Sequence, residues 1–232
     1  MINANVLDPG ESLPVLPRVG LRLPRGRHGI PRDLIAANQR ERLLSATAEV
    51  IAERGYAALV VSDVISLAGV SRTTFYKLFE DKHACVVAAQ QRAVDHLLEA
   101  IVAACGSTGD WPQGVSRAVE TALSLAGAQP GEARLVLASS YAPSEPRLAG
   151  QGVAIHRELV ALLQRGAEDC PSAREPRGLA AQAAVGAAMS IVGSRLEAGD
   201  LADLPGLGPE LAQIILAPYL GANESRRIAL AA

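Results

Sequence analysis

The sequence predicts an all-α protein, and three observations carry that prediction. Apolar residues recur at the three- and four-residue spacing of a helix face from Asn38 to about residue 220. No stretch alternates apolar and polar residues for long enough to suggest a strand. Glycine, proline, aspartate and serine separate the periodic segments, as they do at helix ends. Because 49% of the 232 residues are apolar, the chain can bury a substantial core.

The composition argues against several classes of protein. The three cysteines, Cys85, Cys105 and Cys170, are odd in number and far apart, so neither a disulfide framework nor a zinc knuckle is expected. The four histidines lack metal-ligand spacing and no catalytic or phosphate-binding motif occurs, so we expect no metal, no cofactor and no catalysis. No secretory signal precedes the chain's periodic segments and no apolar run reaches about 18 residues, so a cytoplasmic protein is expected.

The first segment, residues 1–36, is predicted to be a flexible basic arm. Its first 31 residues contain five prolines and four glycines, a density that interrupts helices and strands. Arginines recur through it at Arg18, Arg22, Arg25, Arg27 and Arg32. A basic arm on a chain whose net charge is −2 indicates a polyanionic partner at one end, and the alternative is a solvated tail.

The next two helices are predicted from periodicity and from stop signals. The first runs from Asn38 to Gly55, which can end it. The second covers about Ser62–Leu67. Gly69 follows at the position where a helix end needs a left-handed residue. A tight turn is therefore predicted before the third helix.

The third helix, from its N-cap Ser71 to Lys77 or Leu78, is predicted to have two unlike faces. Phe75 and Phe79, the only phenylalanines in the chain, anchor one face against the preceding helices. The other face carries cations and hydroxyls, which contact base edges and phosphates in DNA. Its residues are Arg72, Thr73, Thr74, Tyr76 and Lys77. A DNA-binding helix-turn-helix is the prediction, and an ordinary αα-corner is the alternative.

A combination of motifs spans residues 39–89. It reads LL-A---V-AE-GY and then V-DV---AGVS--TFY--F-DK, and it resembles the N-terminal domain of the TetR family of transcriptional regulators. The resemblance implies a helix-turn-helix domain over residues 37–82 and a helical ligand-binding and dimerisation domain over residues 83–232. By position it assigns DNA contacts to Arg72, Thr73, Thr74, Tyr76, Lys77 and Lys82. The arm sequence LPRGRHGIPR is similar to the arms of actinobacterial members, and Arg25 and Arg27 are predicted to enter the minor groove.

One position departs from the family's pattern. TetR-family proteins usually begin the second helix with a threonine that caps it and contacts phosphate, whereas this chain has Leu59 and Val60. The missing cap is expected to cost about 1 kcal/mol of stability. The phosphate contact is then expected either from Ser62 or not at all.

A long fourth helix, capped by Asp81 and ending near Cys105, is predicted to lead into the body. Further helices are predicted near residues 112–128, 130–140, 146–169, 176–199 and 207–220. The resemblance implies that the last two pair with a second copy in a four-helix bundle. Small side chains would allow close approach there. The predicted interface residues are Ala180, Ala184, Ala187, Met189, Ile191, Leu211 and Ile215; the alternative is a bundle within one chain.

The candidate pocket residues combine apolar area with a polar or polarizable group, and each could equally be plain core. They are Trp111, Tyr141, His156 and Met189. The leading hypothesis is a homodimeric repressor that a small-molecule effector releases from a pseudo-palindromic double-stranded DNA operator. The alternatives are a ligand-independent or architectural DNA-binding regulator and a helical enzyme fused to a DNA-binding module. A sizeable cavity would favour the first, and a cluster of perturbed ionisable groups would favour the enzyme.

Overall fold

The computed structural model describes residues 31–137, 146–175 and 179–230, with side chains from residue 152 onward in the second range. Within these ranges the predicted all-α fold is confirmed, since ten α-helices and one 3-10 turn, Pro205–Leu207, occur and no strand does. None of these helices is both long and apolar enough to cross a bilayer. The helices are α1 (Arg32–Arg54), α2 (Val61–Ala68), α3 (Arg72–Leu78), α4 (Lys82–Gly106), α5 (Trp111–Ala128), α6 (Pro130–Val136), α7 (Pro146–Glu168), α8 (Ala180–Ala198), α9 (Gly208–Leu220) and α10 (Ala222–Ala229).

The first three helices pack around one apolar core. Phe75 and Phe79 are 1% and 6% exposed, and their ring centroids are 5.8 Å apart. Leu43, Leu44 and Val64 belong to the same buried cluster. Burying a side chain of this size stabilises a fold by about 1.5–3 kcal/mol relative to leaving it exposed. The prediction that the two phenylalanines anchor α3 is confirmed.

The turn between α2 and α3 has the predicted local geometry. Gly69 is left-handed, with φ 62° and ψ 39°. The Val70 N–H donates to the Ile65 carbonyl oxygen at 3.1 Å, which satisfies a carbonyl at the end of α2. Ser71 caps α3, because its side-chain oxygen accepts from the Thr74 N–H at 3.0 Å.

Helix α1 begins at Arg32, six residues before the predicted start at Asn38, so the predicted arm boundary at residue 36 is too late. Pro31 stands at the N-cap with φ −54°, close to the helical value that proline enforces. Asp33 in the first turn is favourable beside the partial positive charge of the helix N-terminus. The apolar period starts later than the helix because no residue in its first two turns is buried, although some are half-buried.

Helices α1 to α3 form a trihelical unit, and α4 leads from it into the body, which comprises the rest of α4 and helices α5 to α10. Asp81 caps it, as predicted, and accepts from the Ala84 N–H at 2.7 Å. Cys85, Val86 and Ala89 on its first turns are buried in the same core cluster as the α1 residues. Farther along, α4 packs against α5, α6 and α7, which together enclose the interior of the body.

The short helix α10 is absent from the predictions. Gly221, with φ 80°, ends α9, and α10 then packs against α9 and α5. Only Ser225 and Ala229 of α10 are buried. Five of its eight residues are polar, and so short a helix with three apolar residues shows no repeated apolar period.

Helix α2 has no N-cap side chain. Val60 at the N-cap position is extended, with φ −126° and ψ 149°, and its side chain is 48% exposed. Valine cannot accept a hydrogen bond, so no side chain satisfies the first N–H groups of α2. This agrees with the departure from the TetR pattern noted in the sequence.

We predict that Val60→Thr raises the free energy of unfolding by about 1 kcal/mol, because threonine has nearly the same shape and its hydroxyl can cap α2. Val60→Ala is the control for loss of the exposed valine surface. Urea unfolding followed by circular dichroism measures both variants. A Val60→Thr protein no more stable than Val60→Ala would contradict the prediction.

Candidate functional site

The solvent-facing side of α3 presents the predicted group of cations and hydroxyls. Arg72, Thr73, Tyr76 and Lys77 are exposed, and Tyr76 is held edge-on to the Phe75 ring with centroids 5.3 Å apart. Thr74 is half-buried, because its hydroxyl lies 2.9 Å from the Ser71 hydroxyl. The helix thus carries a fixed apolar side and a polar side that suits a groove of DNA.

An arginine in α1 holds the turn that precedes this helix. The Arg42 guanidinium donates to the carbonyl oxygens of Ala68 and Gly69, the latter at 3.1 Å. These carbonyls lie at the end of α2, where helical partners are lacking. Sequence reasoning missed this role, because Arg42 belongs to a run of arginines and its acceptors are distant in sequence.

Lys82 is more firmly held than a surface lysine. Its ammonium donates to the Leu59 carbonyl oxygen at 3.1 Å and lies 5.8 Å from the centroid of the Tyr56 ring. The Tyr56 hydroxyl is in turn 2.7 Å from His83 Nδ1. Lys82 therefore ties the start of α4 to the segment before α2, and its remaining N–H groups leave the predicted phosphate contact possible.

The other predicted DNA contacts lie outside α3. Ser62 is exposed in the first turn of α2. Arg25 and Arg27 lie outside the described residues. The acidic residue nearest to Ser62 in sequence, Asp63, is paired with Arg54 at 2.5 Å, so its charge is partly offset.

The body encloses a cavity of about 290 Å³. Side chains of α4 to α9 line it, and nearly all of them are apolar. Trp111 and Met189 are among them, as the sequence predicted. His156 is not, because its Nε2 atom lies 2.9 Å from the Gln182 carbonyl oxygen; Tyr141 lies outside the described residues. A cavity of this size is at the lower end of the range for small-molecule sites.

The Trp111 end of the cavity is formed by a neutral thiol and by closely packed aromatic rings. Burial raises the pKa of the Cys105 thiol, so the thiol stays protonated at neutral pH. The Trp111 ring packs against Gly166 of α7, where any larger side chain would overlap it. Behind it, Tyr219 lies edge-on at 5.2 Å between centroids, and burial raises the pKa of its hydroxyl.

The opposite end of the cavity contains a polar cluster. Glu132 of α6 accepts from Arg92 at 2.9 Å through Oε1 and lies 3.0 Å from His96 Nδ1 through Oε2. Arg92 also reaches α1, where it donates to Ser45 at 3.0 Å and to the Glu41 carboxylate at 3.2 Å. Sequence reasoning missed this cluster, because its members come from three helices with no motif in common.

Helix α6 is in direct contact with α1. An added Cβ at Gly131 would overlap the Ala48 carbonyl oxygen, so the two backbones touch. Three residues on, the Arg134 guanidinium donates to the Ala52 carbonyl oxygen near the end of α1 and, at 2.8 Å, to the Leu196 carbonyl oxygen near the end of α8. Arg134 thereby joins the trihelical unit to the body.

The predicted interface residues separate into two groups. Ala180 and Ala187 are exposed on α8, on the same side as Ala183, Ser190 and Ser194. Ala184 and Leu211 are buried within the protomer, Ile191 is half-buried, and Met189 and Ile215 line the cavity. Sequence could not separate the groups, because α8 has small residues on all its sides. Only the exposed group has surface to offer a partner.

This helix-turn-helix and helical body are similar to those of known transcription regulators. The profile of the family "Bacterial regulatory proteins, tetR family" matches residues 43–89, which contain most of α1, all of α2 and α3, and the start of α4. These residues therefore carry the N-terminal domain of the TetR family. The fold of the chain is also that of solved TetR-family structures. One is a TetR-like transcriptional regulator from Rhodococcus sp. RHA1, with a TM-score of 0.61, 22% identity, and coverage of 84% of this chain and 99% of that one.

Two further relatives are informative. The HTH-type transcriptional activator FasR of Mycolicibacterium smegmatis is 33% identical over 138 residues, which are 58% of this chain and 61% of FasR, so the match spans less than two thirds of that relative. The transcriptional regulator FadR from Bacillus subtilis, solved in complex with stearoyl-CoA, has a TM-score of 0.64 and 17% identity, covering 76% of this chain and 97% of FadR. These relatives are transcription regulators.

We predict different effects of two substitutions on α3. Arg72→Ala should cost about 1–3 kcal/mol of binding and relax the choice of one base pair in each half-site, because arginine can donate two bonds to guanine. Tyr76→Phe removes one hydroxyl and should weaken binding by about 0.5–1.5 kcal/mol on every sequence. Titration of both variants against a set of operator variants measures this. A uniform loss from Arg72→Ala would show that Arg72 does not read bases.

Proposed function

We propose that this chain is a homodimeric, sequence-specific DNA-binding transcription regulator whose affinity for its operator is controlled by a small molecule in the cavity. The observation that carries the proposal is the combination of a rigidly held polar face on α3 with a cavity in the body, joined through α6. Neither feature alone would distinguish a ligand-controlled regulator from an architectural protein.

The DNA contacts are assigned by chemistry. Arg72 suits guanine, the methyl groups of Thr73 and Thr74 suit thymine, and Tyr76 and Lys77 suit phosphates. Ser62, Lys82 and the arm residues Arg25 and Arg27 complete the proposed surface. Since base contacts carry the specificity and phosphate contacts set the register, α3 would be the reading helix.

The cavity favours ligand control over the ligand-independent alternative. A protein interior is normally packed to the density of an organic crystal, so about 290 Å³ of unfilled apolar space in the body is a cost unless a molecule occupies it. The FadR structure in complex with stearoyl-CoA gives a precedent for a similar fold that holds a ligand with a long apolar chain. We propose no catalytic role, and a cytoplasmic location, where the DNA is.

Repression is the expected outcome where the operator overlaps a promoter, because the bound dimer would then exclude the polymerase. FasR carries the name of an activator, so the same DNA-binding device serves either sign of regulation. The position of the operator, rather than the fold, decides between them. Ligand control of DNA affinity is common to both cases.

Helix α6 is the proposed route between the two sites. Its residue Glu132 lines the cavity, Gly131 touches the backbone of α1, and Arg134 holds the ends of α1 and α8. A ligand that displaces α6 by a small distance must therefore displace α1 or break these contacts. A packed contact of this kind passes on a displacement because it cannot deform continuously.

We predict that Gly131→Ala destabilises the protein by about 1–3 kcal/mol and weakens operator binding, because the new methyl group overlaps α1. Gly127→Ala is the matched control: it is also a helical glycine, but its added Cβ would meet only the Leu201 carbonyl oxygen at an ordinary 3.9 Å. That control should be neutral or slightly stabilising. Urea unfolding and operator titration measure both. Equal behaviour of the two variants would remove α6 from the route.

The proposed function is tested by sequencing the genomic fragments that the purified protein retains. They should share an inverted repeat whose half-sites are about 34–36 Å apart or a multiple of that distance, as a two-fold dimer requires. Ala187→Glu, on the exposed side of α8, should sediment as a monomer and lose this enrichment, since one half-site alone binds weakly. Ala154→Glu, exposed on α7, is the control that should keep both properties. Retained fragments without a common sequence would overturn the proposal.

A further inference from the structure

The cavity is elongated along the helices that form it. Helix α5 contributes Trp111 near one end and Gln129, its C-cap, near the other, and residues 111 to 129 span about 27 Å of helix. Helix α4 lines the same space from Ala93 to Cys105, about 18 Å. With only about 290 Å³ spread along such a length, the space suits a narrow molecule better than a compact one.

The hydrogen-bonding groups are concentrated at one end of this space. Among the described lining side chains, Gln129, Glu132 and His96 lie at the α6 end, while Trp111 and Cys105 provide only an indole N–H and a protonated thiol at the other. The walls between are leucine, isoleucine, valine and alanine. A ligand that fits must therefore be apolar over most of its length.

The polar end offers acceptors rather than donors. Glu132 can only accept, so His96 must direct an Nδ1–H towards it, and Arg92 donates to its other oxygen. The Gln129 side-chain amide directs its nitrogen towards Glu132, where it donates to Oε2 at 3.0 Å. The carbonyl oxygen of Gln129 is then left as an acceptor. Arg92 pairs with both Glu132 and Glu41, so its single positive charge is shared between two carboxylates. A carboxylate or phosphate would meet like charge here.

We propose that the cavity binds a narrow, single-chain apolar molecule whose polar end is a hydrogen-bond donor without negative charge, seated at Gln129 and Glu132. Hydroxyl, primary amide and ammonium ends share this chemistry. The proposal rests on the proposed function, in which the cavity is the effector site. It adds the chemical class of the effector, its direction in the cavity and the residues that select its polar end.

The position of the ligand's polar end at Glu132 also connects it, through Arg92, to helix α1 of the DNA-binding unit. A donor placed on Glu132 competes with Arg92, whose other bonds go to Glu41 and Ser45 of α1. Each competing bond to Glu132 weakens the bridge from α4 and α6 to α1. The ligand's polar end therefore acts on the same contacts that fix the position of α1.

The test uses the full-length protein and three eight-carbon probes that differ at one end: 1-octanol, octylammonium and octanoate. Calorimetry measures binding, and the fluorescence of Trp111, the only tryptophan in the chain, reports occupancy of the apolar end. Octanol and octylammonium should bind at least about tenfold more tightly than octanoate, the effect of one hydrogen bond to a charged group. 1-Decanol should bind more tightly than 1-octanol by about fourfold for each added methylene.

Substitutions at the polar end should reduce the preference for octanol over octanoate. Glu132→Gln removes the negative charge, so octanoate should then bind within about threefold of octanol, because Arg92 and His96 have lost their carboxylate partner. Glu99→Gln is the matched control, because it removes the same negative charge at an exposed position of α4 that does not line the cavity. It should keep the wild-type order of affinities. If Glu132→Gln does not fold, Gln129→Leu serves instead, and it should weaken octanol about fivefold with little effect on octanoate.

The outcomes separate this proposal from the proposed function. Tighter binding of octanoate than of octanol by the wild-type protein, or no binding of any probe, would overturn the ligand class while DNA binding stands. An octanol-to-octanoate affinity ratio that stays at the wild-type value in Glu132→Gln, or in Gln129→Leu where Glu132→Gln does not fold, would overturn the assigned seat. The predicted order together with unaltered operator affinity would support the ligand class and reject effector control in the proposed function.

Discussion

The close approach of α6 to α1 is the constraint on which the rest of the molecule depends. Gly131 has no Cβ, so the backbone of α6 rests on the Ala48 carbonyl of α1. This contact fixes the orientation of the next turn. Glu132 then faces the cavity and Arg92, and Arg134 reaches carbonyl oxygens on both α1 and α8. One turn of α6 thus contacts the cavity, the DNA-binding unit and α8, the helix that carries the proposed dimer face.

The coupling that this arrangement allows must be reciprocal. If a molecule in the cavity lowers the affinity for DNA, then DNA lowers the affinity of the cavity for that molecule by the same factor. The contacts involved are few and are partly exposed ion pairs, such as Arg92 with Glu41, which contribute little stability individually. Weak contacts of this kind suit a switch, because a ligand can exchange them at a small cost in free energy.

The trihelical unit could be predicted from sequence because its determinants are local. Gly69, Ser71 and Phe75 each act within a few residues of their own position, through a left-handed turn, a cap and a buried ring. Where local signals were weak the prediction failed: the exposed first turns of α1 and the polar helix α10 lack an apolar period. The DNA-contact residues remain predictions, although their exposure on α3 agrees with that role.

The body could be predicted only as a set of helices. Ala184 and Ala187 are the same residue type one turn apart, yet one is buried in the protomer and the other is exposed, and only the neighbouring helices decide which. Trp111 was correctly named as a cavity candidate because it combines a large apolar area with a polar indole N–H. Arg134 was not, since its acceptors on α1 and α8 are 82 and 62 residues away in sequence.

The distribution of lysine has a practical chemical consequence. The chain has only two lysines, Lys77 on the exposed side of α3 and Lys82 at the start of α4, and arginine supplies every other basic side chain. Reagents and enzymes that acylate primary amines therefore have, apart from the chain's α-amino group, targets only beside the helix-turn-helix. Biotin or a dye attached through lysine would mask that surface, whereas attachment through Cys170, which follows α7 and is partly exposed, would spare it. Conversely, bound DNA should shield nearly all of the amine reactivity that the folded chain possesses.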